Sequence, residues 1–142
     1  MPNPRKPADE YLLELFSPVA EEAGMTVETR EKSPYFGDVA VTFASDEIGM
    51  RLIADRDHYF AEIKPSRGET EWFDLSLLQM LLTGADTLDG AAIESQVHFL
   101  RERLTEVKTA LGQDRWPVTK SELQALERRR SSRRFGPPSG GK

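Results

Sequence analysis

Residues 25–63, MTVETREKSPYFGDVAVTFASDEIGMRLIADRDHYFAEI, decide the fold, because apolar side chains recur there at every second position in four successive runs. Met25, Val27 and Thr29 alternate with Thr26, Glu28 and Arg30; Val39, Val41 and Phe43 share a face, then Met50, Leu52 and Ala54, then Tyr59, Ala61 and Ile63. A period of two is that of a strand with one buried face. The turn-forming stretches KSPYFGD, Ser45-Asp46-Glu47 and Asp55-Arg56-Asp57 separate the runs. Connections this short join antiparallel neighbours, so a four-stranded antiparallel meander in sequence order is expected. Its apolar face needs a helical cover.

Helical patterns flank the runs. Residues 8–23 place Leu12, Leu15, Phe16, Val19 and Ala23 on one side, with Gly24 as stop. Pro18 lies inside this pattern, so the segment either kinks there or restarts with Ser17 as cap. Beyond Trp72-Phe73, Asp74 is placed to cap a helix of Leu75, Leu77, Leu78, Met80, Leu81 and Leu82, apolar nearly all round and therefore central. Asp89 is expected to cap one long helix to Leu111, whose residues Ile93, Val97, Leu100, Leu104, Val107 and Leu111 form a narrow seam facing another helix. A last helix is expected at Thr119, where Thr119 and Glu122 spell a capping box and Val118 and Leu123 a hydrophobic staple. The fold class is thus α+β: an N-terminal helix, the meander, and three C-terminal helices packed on one face of the sheet. Residues 1–130 read as a single domain, and residues 131–142, rich in Gly, Pro, Ser and Arg, as a disordered basic tail.

Length and composition narrow the functional classes. With 142 residues there is room for one core, and with no cysteine there is neither a disulfide framework nor a zinc-thiolate site. No apolar run reaches membrane-spanning length and the first residues lack a signal-peptide pattern, so a cytoplasmic location is expected. The net charge of −5 conceals a split: residues 1–127 hold 24 acidic and 13 basic side chains, a net −11, while six basic ones follow. An acidic body disfavours phosphate backbones and favours basic partners, although it also serves solubility.

Catalytic signatures are missing. The sequence has no phosphate loop, no dinucleotide fingerprint and no nucleophile elbow, so neither an enzyme nor a cofactor is expected. Asp55, Asp57 and His58 resemble a metal or acid-base cluster on paper, but Asp-Arg-Asp is ordinary hairpin-turn chemistry. Glu94 and His98 are one turn apart and read as a solvated helix contact. Arg128, Arg129, Arg130, Arg133 and Arg134 could touch nucleic acid, or simply satisfy a helix C-terminus. The candidate partner-binding cluster is Asp55, Asp57, Glu69, Glu71, Trp72 and Asp74, where carboxylates accompany an aromatic at the end of the sheet. Trp72 could equally be core.

The stretch Val39 to Leu75, with its Asp55-Arg56-Asp57 turn and its helix start Trp72-Phe73-Asp74-Leu75, resembles a segment of bacterial immunity proteins associated with polymorphic toxins. It covers about a quarter of the chain; the long C-terminal helix and the arginine tail lie outside the pattern. The resemblance implies tight binding and blocking of a cognate toxin, often a basic nuclease, without catalysis. Alternative expectations are a small acidic adaptor or secretion chaperone acting as a dimer, a nucleic-acid-associated protein working through the tail, and a small enzyme using His58.

Overall fold

The computed structural model describes residues 7–32, 38–56 and 58–135, with side chains to 133. The element order is α1 (Ala8–Ala23), β1 (Thr26–Lys32), β2 (Val39–Ala44), β3 (Ile48–Asp55), β4 (His58–Pro65), β5 (Phe73–Asp74), α2 (Leu75–Thr83), α3 (Ile93–Glu102), α4 (Leu104–Leu111) and α5 (Trp116–Phe135). All strands join one antiparallel sheet in sequence order. The expected meander is present, with one strand more than the alternation predicts. Phe73 and Asp74 pair with Ile63 and Glu62 as β5, a two-residue strand too short to show a period.

The period-two residues of β2, β3 and β4 do build the core. Val41, Met50, Leu52, Ala61 and Ile63 are fully buried, and Phe16 of α1 meets Phe43 with ring centroids 4.7 Å apart. The helices lie on this one face: α1 against β2 and β3, α2 and α3 against β4, and α5 against α2. Leu75, Leu77 and Leu78 of α2 are fully enclosed between sheet and helices. Among the described residues, no helix is long and apolar enough to cross a membrane.

β1 departs from its expected alternation. All its residues are exposed, Val27 at 44%, because α1 packs chiefly over β2 and only grazes this edge, and a bulge at Glu28 shifts the register. Its tie to the helical layer is polar. Asp9, 2% exposed, receives Arg30 and Lys32 from β1, and the Arg30 guanidinium holds the Asp9 carboxyl below its ordinary range.

α1 passes through Pro18 without restarting, so the second cap at Ser17 is not used. Ser17 Oγ instead donates to Leu13 O at 2.6 Å, and Pro18 sits on the exposed side. Gly24, at φ 70°, ends the helix in the left-handed region and donates to Ala20 O and Glu21 O.

The single long helix from Asp89 is in fact two, giving four C-terminal helices rather than three. The first begins at Ile93 behind an Ala92 cap, and Arg103 at φ −118°, ψ 27° breaks the run. The two halves serve different partners, α3 packing on α1, α2 and β4 and α4 on α5, which one straight seam cannot do. His98 pairs with Glu102 at 3.2 Å and Glu94 accepts from the Tyr11 hydroxyl, so the two do not contact each other as expected. That hydroxyl titrates at about 12, raised by burial and by the Glu94 carboxylate.

The capping box at Thr119 is also overridden. α5 starts at Trp116, with Pro117 in its first turn, where a missing N–H costs little. Thr119 lies inside the helix, 1% exposed, its N–H bonded to Arg115 O at 3.1 Å. The helix then continues to Phe135, so the boundary expected near 131 lies further on; residues 136–142 are outside the described residues.

Candidate binding surface

The sheet has a second face, and among the described residues it carries no helical layer. Its side chains follow from the register. Ala40, Ile53 and Phe60 stand side by side on β2, β3 and β4, as do Thr42, Arg51 and Glu62, then Ala44, Gly49 and Lys64. The side chains of this face other than Gly49 are only half-buried, while their sequence neighbours point into the core.

Trp72 lies flat on this face. Its ring meets the Arg51 guanidinium at 4.7 Å and the Lys64 ammonium at 5.1 Å, cation-π contacts that help hold the indole in place. Arg51 is itself fixed by Glu62, Nε to Oε1 2.8 Å. The ring edge also lies over Gly49, where a Cβ would stand 3.5 Å from Trp72 Cη2, an ordinary contact distance. Trp72 is therefore neither core nor free: it is half-buried on the outer face.

Carboxylates gather at the opposite end of the face. Asp55 ends β3 and is exposed, Glu31 pairs beside Ala40, and Asp38 precedes β2. Asp38 accepts from the Arg56 N–H at 3.1 Å, fixing the hairpin turn in which Arg56 takes φ 59°. The expected hairpin turn is therefore present at Asp55-Arg56. Asp57 lies outside the described residues. Glu31, Asp38, Ala40, Arg51 and Ile53 line a shallow groove of about 370 Å³ on this end.

The structure does not assemble the six candidate residues into one cluster. Asp55 sits at the far end of the β3–β4 hairpin, six positions along β3 from Gly49 where Trp72 packs. Glu69, its side chain 7% exposed, accepts from Trp116 Nε1 at 2.9 Å and from Glu71 N at 2.9 Å, and pairs with Lys120 at 3.0 Å. Burial pushes its carboxyl up, but these donors outweigh it and bring it to about 2. Glu71 faces Lys120 more loosely, at 3.9 Å. Asp74 caps α2 through Ser76 N at 2.9 Å and pairs with Arg130 at 2.9 Å. Arg130 is thereby paired and largely buried, its side chain 18% exposed.

Three residues of the open face, Ile53, Phe60 and Arg51, were not singled out by sequence reasoning. Their signal was the polar-side position of each strand, where two large apolar side chains stand in place of polar ones. Among the described residues, no group of three or more His, Asp or Glu is placed to hold a metal ion. Comparison with protein-family models, curated proteins and solved structures finds no match.

Proposed function

We propose that the chain is a non-catalytic binding protein that docks a basic protein on the open face of its sheet, an immunity-type inhibitor of a cognate toxin being the most specific form. The observation that carries this reading is the uncovered face on which Trp72 is held against Arg51 and Lys64 and on which Ile53 stands next to Phe60. An aromatic held in place before binding loses little freedom on binding, which is what an interface anchor requires. The acidic end formed by Glu31, Asp38 and Asp55, and the net −11 of residues 1–127, favour a basic partner.

The test is recovery of the partner from the native cells, followed by retention on Phe60→Glu protein. Phe60 is half-buried on the solvent face, so the variant is expected to fold and to release the partner. Full retention by a folded variant would rule this face out. A second reading, the dimeric adaptor, draws on a different feature: the outer edge of β1 has no partner strand among the described residues, and such an edge can pair with another copy. Sedimentation distinguishes them, a monomer favouring the inhibitor.

A further inference from the structure

The C-terminal half of α5 carries a second surface, opposite in charge to the sheet. Ala125, Arg128, Arg129, Ser132 and Arg133 fall at i, i+3, i+4, i+7 and i+8, one face of a helix. With Leu88 they wall a shallow groove of about 390 Å³, and among the described residues no carboxylate lines it. Arg133 reaches the exposed Asp89 at 2.9 Å. Arg128 and Arg129 make no hydrogen bond or ion pair among the described residues; burial pushes the neighbouring Glu127 carboxyl up, with Arg128 acting in the opposite sense. The helix dipole accounts for cations in a last turn. It does not account for three arginines of one helix face walling one shallow groove, with Arg128 and Arg129 left exposed, in a chain with 24 acidic residues.

We propose that this groove binds a small phosphate-bearing anion. Each guanidinium offers a planar fork of N–H donors matched to two phosphate oxygens, and the Ser132 hydroxyl can donate to another. The groove is shallow and open, which suits a small, compact anion held by its charge rather than by enclosure. A long polyanion fits less well, because the net −11 of residues 1–127 repels a polymer extending past the groove.

The experiment is calorimetric titration of the full chain with inorganic pyrophosphate at about 0.15 M salt, where distant charges are screened, alongside a short single-stranded oligonucleotide and anionic phospholipid vesicles. Saturable one-to-one binding of pyrophosphate is expected. Arg128→Gln with Arg129→Gln should weaken it about tenfold or more, the loss of charge-assisted bonds. Arg67→Gln with Arg101→Gln removes the same charge from exposed pairs elsewhere, and should change affinity by no more than about twofold, as expected of screened distant charges. Three results would overturn the proposal: no saturable heat, equal weakening by both double variants, or binding of oligonucleotide or vesicles without binding of pyrophosphate. Arg128 and Arg129 support no packing, so unchanged melting curves are expected to accompany the loss.

Discussion

Trp116 Nε1 donates to Glu69 Oε1 at 2.9 Å, joining the loop between β4 and β5 to the first turn of α5. The Trp116 ring also packs edge-on against Phe73, centroids 5.7 Å apart, and Lys120, one turn later, reaches the same carboxylate. One acidic side chain thus fixes where the last helix begins. That anchor explains why the helix ignores the capping box three residues further on.

Glu69→Gln should therefore destabilise the fold and flatten its acid limb. The Glu69 carboxyl falls from an ordinary 4.5 to about 2 in the folded chain. A depressed pKa contributes stability that is complete above the unfolded value and is lost as pH falls through the folded one. The window is pH 4.5 down to 2. Full conversion would give roughly 3 kcal/mol, but Lys120 is a third exposed, so about 1 to 2 kcal/mol is expected after screening. Urea unfolding of parent and variant across this window measures it; parallel curves would show that Glu69 adds nothing pH-dependent.

Leu78→Asp should leave no folded protein. Leu78 is fully buried in α2, between β4, α3 and α5, and an unpaired charge there costs several kcal/mol, comparable with the stability of a whole domain. Loss of the cooperative melting transition is the expected result, and an unchanged melting temperature would contradict the enclosed position.

What the sequence made legible was what local patterning controls. Alternation placed Val41, Met50, Leu52 and Ile63 in the core, and Asp74 and Gly84 bound α2 as their side-chain and backbone chemistry requires. The misses share a cause in tertiary contact. β1 alternates in sequence, yet it lies at the rim of the helical layer and all its residues stay exposed. Arg103 is neither Pro nor Gly, so the bend that sends α3 and α4 to different partners leaves no local mark. The candidate site divides along the same line. Asp55 and Trp72 are surface residues, whereas Glu69 and Asp74 are bonded to Trp116 and Arg130, 47 and 56 positions away, partners no local pattern reveals.

Truncation should separate α5 into a necessary and a dispensable part. Residues 131–133 are exposed, and the Arg133–Asp89 pair is solvent-facing, so ending the chain after Arg130 should cost no more than about 1 kcal/mol. Ending it after Glu122 removes Leu123 and Leu126, both in the core, and at 2 to 5 kcal/mol for each such side chain should unfold the protein. Thermal melts of the two truncations decide it; equal stability would mean that α5 is not part of the core.

On the open sheet face, electrostatic and packing contributions should separate kinetically once a partner is in hand. Glu31 and Asp55 are exposed at the acidic end, and neither packs in the core. Glu31→Lys with Asp55→Lys should slow association and flatten its dependence on ionic strength, because charges at the edge of an interface act on encounter more than on residence. Trp72 is different in kind. It is held over Arg51 and Lys64 before any partner arrives, and a true anchor is worth about 2 kcal/mol or more, expressed in the off-rate. Trp72→Ala should thus speed dissociation at least about thirtyfold while leaving association nearly unchanged. Its half-buried position outside the core predicts only a small loss of stability, which a melting curve checks. Wild-type kinetics for both folded variants across a salt series would exclude this face as the interface and reduce the acidic body to a means of staying in solution.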